Sequence, residues 1–232
     1  MIIKGCIFDL DGVIVDTAKY HYIAWHQIAK ELGFEFTEAD NERLKGVSRM
    51  RSLDILLEIG GIKVDQSTRE ALAHKKNELY LTYIRKLSPD EILPGAKEFL
   101  MELRNHKIVI ALGSASKNAE TILERLHIKG LFDAIIDGTK VEKAKPDPEI
   151  FLKGALALNL PADCCVVFED AEAGVEAALR AGMKCIGIGS PLLLSKAHRV
   201  IPGLDQLSFE EFSKMMEKSE NNETNDQNNS ML

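Results

Sequence analysis

The sequence lacks the features expected of a membrane protein or a nucleic-acid-binding protein. No apolar run approaches the roughly 18 residues that a membrane-spanning helix requires. The 29 Lys and Arg residues are outnumbered by 36 Asp and Glu residues, which gives a formal net charge of −7. Binding to duplex nucleic acid or to an anionic membrane calls for a basic face. We therefore expect neither partner, whereas small phosphorylated ligands need only a few local cations.

Cysteine is scarce in this chain. The four cysteines are Cys6, Cys164, Cys165 and Cys185, and no two of them form a C-x-x-C pair. Each lies in an apolar run typical of a strand, so we predict buried free thiols rather than disulfides or a zinc site. Residues 1–5 lack the pattern of a signal peptide. These observations predict a protein of the reducing cytoplasm.

Three common ligand motifs are also missing. There is no G-x-x-x-x-G-K-[ST] phosphate loop. Gly187 and Gly189 lack the third glycine of a dinucleotide-binding fingerprint and belong to the last apolar run of the chain. His21 and His26 are five residues apart, so they do not share a helix face as an i,i+4 metal pair would. A phosphate or metal site must therefore be built from other residues.

What the sequence does contain is an alternation of strand and helix patterns, with 45% hydrophobic residues to form a core. Alternating strands and helices predict an α/β fold with a parallel sheet covered on both faces. Ligands of such sheets bind beyond the carboxyl ends of the strands. Strand-like apolar runs lie at 3–9, 108–113, 133–137, 164–169 and 184–189, and helical patterns at 95–106, 117–127, 148–158 and 171–182.

Residues 15–92, which we call the helical insert, interrupt this alternation. They contain no convincing strand, and their links to the rest of the chain, near 13–17 and 88–94, would pass close to the end of the first strand. The insert therefore predicts a separate cap domain over the active site. The helical patterns of the insert lie near 17–32, 37–45, 49–60 and 66–87.

The predicted domains are an α/β core of residues 1–14 and 93–217, the helical insert, and a polar, disordered tail of residues 218–232. We expect a monomer because both domains bury their own apolar faces.

Two carboxylates close the first strand pattern. Asp9 and Asp11 are two residues apart, so their side chains point to the same side. Two adjacent negative charges are costly unless they are offset, and Mg2+ is an oxygen-binding cation that would offset them. One aspartate then becomes a candidate nucleophile and the other a candidate acid/base. The alternative is an ordinary Asp11-Gly12 turn.

Further polar residues follow the later strands. Ser114 precedes a helix start and could help to bind an anion, although Ser116 could simply cap that helix. Lys145 directly precedes a loop that is held by Pro146 and Pro148, where it could face a phosphate or solvent. Glu169 and Asp170 could complete an oxygen-rich metal site or cap the next helix.

An Asp-x-Asp, a Ser, a Lys and an acidic pair, in this order at successive strand ends, resemble the four motifs of the haloacid dehalogenase-like phosphotransferases. The resemblance covers residues 1–14 and 95–217. It implies a Rossmann-like parallel core with an inserted C1-type cap and a Mg2+ cofactor. The implied metal ligands are Asp9, Asp11 through its backbone carbonyl, Glu169 and Asp170.

The insert narrows the resemblance to the hexose-phosphate mutases of this family. The matching segments are Asp-Thr-Ala-x-Tyr-His-x-x-Ala-Trp at 16–25, Leu-Lys-Gly-Val-Ser-Arg-x-x-Ser at 44–52, and Ser-Ala-Ser-Lys-Asn at 114–118. They imply interconversion of β-D-glucose 1-phosphate and D-glucose 6-phosphate through β-D-glucose 1,6-bisphosphate, which serves as activator and intermediate. The implied partners are small-molecule sugar phosphates.

The same resemblance assigns roles to individual residues. The implied catalytic residues are Asp9, Asp11, Thr17, His21 and Lys76. The implied substrate- and phosphate-binding residues are Trp25, Gly46, Val47, Ser48, Arg49, Ser52, Ser114, Ala115, Ser116, Lys117, Asn118 and Lys145.

Two other functions stay open at this point. A sugar-phosphate or phosphoglycolate phosphatase of the same family would share the core residues and differ in the cap, where Arg49 and His21 favour the mutase. A catalytically silent binding protein would be expected to lack an intact Asp9.

Overall fold

The computed structural model describes residues 3–215 and contains one six-stranded sheet in that range. All of its neighbouring strands pair in parallel, in the order β3-β2-β1-β4-β5-β6. The α/β class predicted from the alternating patterns is therefore confirmed. The strands are β1 Gly5–Phe8, β2 Val109–Gly113, β3 Ala134–Ile136, β4 Cys165–Glu169, β5 Lys184–Ile188 and β6 Arg199–Ile201.

Strand β1 lies in the middle of the sheet, between β2 and β4. Gly5 pairs with Val109 on one side and with Cys165 on the other. Side chains of a strand alternate between the two faces, so Phe8 packs into one hydrophobic cluster and Ile7 into the other. On the first face, the Phe8 and Phe168 rings stack with centroids 4.4 Å apart. Burial on both faces explains why β1 is apolar throughout.

Eight α-helices with defined bounds accompany the sheet in the described residues. Four of them cover its faces, and four form the helical insert. They are α1 Ala18–Leu32, α2 Glu38–Glu42, α3 Arg49–Gly60, α4 Gln66–Ile84, α5 Ala96–Asn105, α6 Ala119–Arg125, α7 Glu149–Ala157 and α8 Glu172–Arg180. Residues 209–215 are also helical. None of the helices within 3–215 combines the length and apolar character needed to cross a membrane.

The helical insert has its own hydrophobic cluster. Trp25 of α1 and Leu53 and Leu56 of α3 are buried together with Phe36. The two links of the insert run side by side: the Leu93 N–H donates to the Ile14 carbonyl at 2.9 Å, and Val15 forms an antiparallel bridge with Ile92. The insert is therefore joined to the sheet next to the carboxyl end of β1.

Some local predictions were wrong. Strand β6 was missed, because only two of its three residues, Arg-Val-Ile, are apolar. Helix α6 begins at Ala119 instead of near Lys117, so Ser116 does not cap it; Ser116 Oγ accepts from the Asn118 N–H at 3.3 Å in the preceding turn. The cysteines are free, but Cys164 is only partly buried. The predicted tail, residues 218–232, lies outside the described range.

Candidate active site

Asp9 lies directly after the central strand. Its backbone N–H donates to the Phe168 carbonyl at 2.9 Å, which continues the ladder between β1 and β4 by one residue. The chain then turns at Gly12, whose φ of +79° favours glycine. A Cβ atom on Gly12 would lie 2.1 Å from Asp170 Oδ2. The close approach at Gly12 therefore brings the loop after β1 against the loop after β4.

Lys145 joins two carboxylates beneath this loop. Its ammonium donates to Asp9 Oδ1 at 2.5 Å and to Glu169 Oε1 at 2.6 Å. The Lys145 side chain is fully buried. Burial alone would lower the pKa of Lys145, but the Asp9 and Glu169 carboxylates raise it above its ordinary value. Lys145 therefore stays charged and offsets part of the negative charge around Asp9.

The acidic groups outnumber this one cation. Burial raises the pKa of Asp170 well above its ordinary value, and Glu169, Asp9 and Asp11 raise it further. Burial also raises the pKa of Glu169, although Lys145 opposes the shift. Such an accumulation of buried carboxylates is the setting in which a bound cation lowers the electrostatic cost.

The oxygen atoms near Asp9 fit Mg2+ better than a metal whose ligands are all protein side chains. Within residues 3–215, no three His, Cys, Asp or Glu side chains converge as a complete metal cluster. Mg2+ commonly uses one or two carboxylates and retains several waters. Asp9 and Asp170 could supply the carboxylates, and the Asp11 carbonyl a further oxygen. Glu169 Oε1 is already bound to Lys145, and its Oε2 accepts from the Ala171 N–H at 2.7 Å.

Asp11 belongs to a buried hydrogen-bond chain. The Thr17 hydroxyl donates to Asp11 Oδ1, and the Tyr80 hydroxyl donates to Thr17 Oγ1 at 3.1 Å. Burial raises the pKa of Asp11 to about 8, with a further contribution from Asp9. Its carboxyl group can therefore hold a proton near neutral pH, as a general acid requires.

His21 and Lys76 form a second pair, in which Lys76 is buried and His21 is partly buried. The Lys76 ammonium lies 2.7 Å from His21 Nδ1 and 4.9 Å and 4.7 Å from the ring centroids of Trp25 and Tyr80. Burial, together with Arg49, lowers the pKa of Lys76 to about 7. Burial, Lys76 and Arg49 lower the pKa of His21 well below its ordinary value. The imidazole is therefore neutral at pH 7, and its Nδ1 can accept from the ammonium.

The lowered pKa of Lys76 predicts a pH-dependent stability. Between pH 7 and its ordinary pKa of 10.5, the unfolded chain holds a proton on Lys76 that the folded protein has lost, so stability rises with pH in this window. Below pH 7 both states are charged, and the burial penalty is fully present. We expect Lys76→Met to be more stable than wild type by about 2 kcal/mol at pH 6. Above about pH 10 the gain should vanish.

Urea unfolding of both proteins at intervals from pH 6 to 10 measures this difference. The comparison with wild type cancels the titration of groups whose pKa values do not depend on Lys76. A difference in unfolding free energy that is the same at every pH would show that the Lys76 ammonium does not titrate in this range.

The loop after β2 brings hydroxyl and amide groups to the same region. Ser114 is buried, and its Oγ accepts from the Ser116 N–H at 3.1 Å. Asn118 Nδ2 donates to Asn77 Oδ1 of α4 at 3.1 Å. This loop therefore contacts the helical insert directly. Polar groups of both parts of the protein consequently face a common space.

Arg49 stands at the first position of α3. The Ser48 hydroxyl caps this helix by accepting from the Arg51 N–H at 3.3 Å. Arg49 is half-buried, and burial lowers the pKa of its guanidinium, which nevertheless stays charged at neutral pH. Arg49 directly follows the loop at residues 43–48, and it lines the same space as Asp9.

One cleft, which we call the active-site cleft, lies between the sheet and the helical insert. The predicted site residues that line it are Asp9, Asp11, His21, Trp25, Gly46, Val47, Arg49, Ser52, Lys76, Ser114, Ala115, Ser116, Lys117, Asn118 and Asp170. The remaining four, Thr17, Ser48, Lys145 and Glu169, do not line it. Thr17, Lys145 and Glu169 are buried behind the lining, where they bind Asp11 or Asp9 or each other.

Sequence reasoning missed several residues of the lining. They are Gly12, Asp16, Ala18, Asn41, Leu44, Lys45 and Tyr80. Two signals could have found some of them. Tyr80 lies four residues after Lys76 on the same helix face, and Leu44 and Lys45 adjoin the Gly46–Arg49 loop. Asn41 carried no distinguishing pattern.

Comparison with known proteins identifies the family of this chain. The model of the haloacid dehalogenase-like hydrolase family matches residues 3–182. The chain belongs to the haloacid dehalogenase-like family. The match includes β1, the whole helical insert, and strands β2 to β4 with the residues that follow them.

Members of the haloacid dehalogenase-like family that resemble this chain differ in activity. β-Phosphoglucomutase of Bacillus subtilis strain 168 is 45% identical over 210 residues, which cover 89% of this chain and 92% of the relative. The crystal structure of β-phosphoglucomutase from Clostridium difficile superposes with a TM-score of 0.91 at 41% identity, over 94% of this chain and 99% of that one. A phosphorylated carbohydrates phosphatase of Thermotoga maritima is 33% identical, over 79% and 83% of the two chains.

Proposed function

We propose that this protein is a β-phosphoglucomutase. It interconverts β-D-glucose 1-phosphate and D-glucose 6-phosphate through β-D-glucose 1,6-bisphosphate. The observation that carries the proposal is that Asp9 and Arg49 line the same cleft, with His21 and Lys76 of the helical insert also in its lining. A bisphosphate needs two anion-binding ends, and a small-ester phosphatase needs only one. The two mutase relatives support the same activity.

The reacting end of the cleft is assigned to Asp9 and Asp11. An Asp9 carboxylate oxygen attacks phosphorus, and the bond between phosphorus and the sugar oxygen breaks as Asp11 gives that oxygen a proton. In the return step, a sugar hydroxyl attacks the phosphoryl group on Asp9, the bond between phosphorus and the Asp9 oxygen breaks, and Asp11 takes the hydroxyl proton. Mg2+, when it is bound by Asp9, Asp170 and the Asp11 carbonyl, offsets negative charge on the transferring phosphoryl group.

The other assigned residues hold the substrate. Ser114, Ala115 and Lys145 bind the transferring phosphate, and Arg49, Ser116, Lys117 and Asn118 bind the distal one. Thr17, His21 and Lys76 position Asp11 and the sugar. Trp25, Gly46, Val47, Ser48 and Ser52 complete the walls and the loop on the insert side.

The helical insert acts in this proposal as a cap domain, residues 15–92, on a core of residues 1–14 and 93–217. A mutase must keep water from the phosphoryl group on Asp9 while the bisphosphate intermediate turns around. The chain connects the helical insert to the core only near the paired contacts Ile14–Leu93 and Val15–Ile92. This arrangement supports a cap that moves relative to the core. The free cysteines are consistent with a cytoplasmic setting.

An assay of both products tests the proposal. The protein is given β-glucose 1-phosphate, Mg2+ and catalytic β-glucose 1,6-bisphosphate, and glucose 6-phosphate and free phosphate are measured separately. We expect glucose 6-phosphate to form at least about 100 times faster than phosphate, because the closed cleft excludes water. Omission of the bisphosphate is the control, and it should lower the initial rate. Stoichiometric phosphate with little isomer would instead identify a phosphatase, as in the Thermotoga maritima relative.

A further inference from the structure

Asn41 is a polar residue of the active-site cleft to which the reaction assigned above gives no role. It lies in the last turn of α2, is 7% exposed and lines the cleft. Its buried Oδ1 accepts no hydrogen bond from any residue between 3 and 215. Buried polar side chains of proteins are paired in the large majority of cases. An unpaired amide oxygen in the wall of a ligand cleft therefore points to the ligand as its partner.

The position of Asn41 is fixed by local structure. Its backbone N–H donates to the Thr37 carbonyl at 3.1 Å, and its carbonyl accepts from the Leu44 N–H at 2.9 Å. Helix α2 begins with a capping box between Thr37 and Asp40. The backbone of Asn41 is thus held on both sides before any ligand arrives. Such pre-organisation reduces the entropy lost on binding.

The neighbours of Asn41 leave its amide as the neutral polar side chain on this wall. Leu44, Gly46 and Val47 offer no side-chain hydrogen-bonding group. Lys45 also lines the cleft, but its ammonium pairs with Glu42 at 2.9 Å. The cationic and hydroxyl groups that suit phosphates come from Arg49 and from the loop after β2. The wall at α2 is therefore suited to an uncharged part of the ligand.

The amide of asparagine provides one acceptor and two donors within a small space. Two neighbouring hydroxyl groups of a sugar ring provide the complementary pair. We propose that Asn41 is a specificity-determining residue that binds ring hydroxyls of the hexose. The proposal rests on the proposed function in so far as the ligand is a sugar phosphate. It gives the uncharged sugar a fixed contact while either of its phosphates faces Asp9.

A cycle of protein and substrate changes tests this contact. Initial rates are measured for wild type and Asn41→Ala with β-glucose 1-phosphate and with its 2-, 3- and 4-deoxy analogues. We expect Asn41→Ala to lower kcat/KM for the parent sugar by about 10-fold. Wild type should lose about 10-fold on at least one deoxy analogue, and the variant should lose less than about 2-fold on that same analogue. Gln27→Ala, which removes an exposed amide of α1, is the matched control and should behave as wild type.

The proposal would be overturned if Asn41→Ala and wild type lost the same factor on each of the three analogues. A residue that only shapes the loop would affect every substrate alike. If Asn41→Ala does not fold, Asn41→Ser, which shortens the side chain and keeps it polar, takes its place in the cycle. A protein that releases phosphate instead of isomer would refute the mutase assignment. The same cycle, measured on phosphate release, would still decide whether Asn41 binds the sugar.

Discussion

Asp9→Asn is expected to lose at least about 10^4-fold of its turnover with every phosphorylated substrate. The asparagine keeps the shape of the side chain but is a poor nucleophile toward phosphorus. The effect should therefore appear in isomerisation and in hydrolysis alike, because both begin with transfer to Asp9. Initial rates with β-glucose 1-phosphate and with a small phosphate ester measure the loss. Transfer of labelled phosphate from substrate to protein should disappear in parallel.

Asp163→Asn provides the matched control. Asp163 is exposed and lies just before β4, at the opposite end of the strand from Glu169. This substitution should leave turnover and protein labelling within about 2-fold of wild type, as is usual for exposed sites. A stably folded Asp9→Asn protein that kept a tenth of the wild-type rate would show that Asp9 does not carry the phosphoryl group.

Arg49→Ala is expected to lower kcat/KM for isomerisation by about 100- to 1,000-fold and hydrolysis of acetyl phosphate by less than about 3-fold. The guanidinium is proposed to bind the phosphate that is not being transferred, and acetyl phosphate has no second phosphate. The ratio of the two activities is therefore the informative quantity. Arg49→Lys should give an intermediate ratio, because it keeps the charge and loses the bidentate geometry.

The same segment contains a control for Arg49. Arg51 lies two residues further along α3, and its exposed guanidinium pairs with Glu58 at 3.2 Å. Arg51→Ala removes an equal charge from the same helix and should leave the ratio of the two activities unchanged. Equal losses of both activities in Arg49→Ala would argue that this arginine does not distinguish a bisphosphate from a simple ester.

The part of the cleft that is formed by residues just after the strands could be predicted from the sequence, because parallel strands all have their carboxyl ends at one edge of the sheet. Asp9, Ser114 and Asp170 each follow an apolar run, and the topology brings them together. The pattern could not predict that Lys145 would pair with Asp9 and Glu169, since this contact spans the interior of the fold. The catalytic and binding roles of these residues stay predictions until the variants are measured.

The contribution of the insert was harder to predict, because its contacts depend on how separate helices pack. The hydrogen bond from Tyr80 to Thr17 joins residues 63 positions apart in sequence. Asn41 lies at the end of a five-residue helix, where an amide usually faces solvent. Only the packing of α2 against the cleft distinguishes it from a surface residue. The missed strand β6 has only two apolar residues in its sequence Arg-Val-Ile, which is too short an apolar run to predict a strand.

The position of Asp9 at the end of the central strand has a consequence for local stability. Its N–H continues the β1–β4 ladder, and all four residues of β1 are buried. Segments of this kind open only when the whole domain unfolds, whereas segments with few long-range contacts open at a much smaller free-energy cost. The proposed nucleophile thus lies where structural fluctuation is smallest, while Arg49 belongs to a segment joined to the sheet through two links. In the proposed cap movement, substrate would enter by displacing Arg49 and its helices, with the attacking oxygen kept in place.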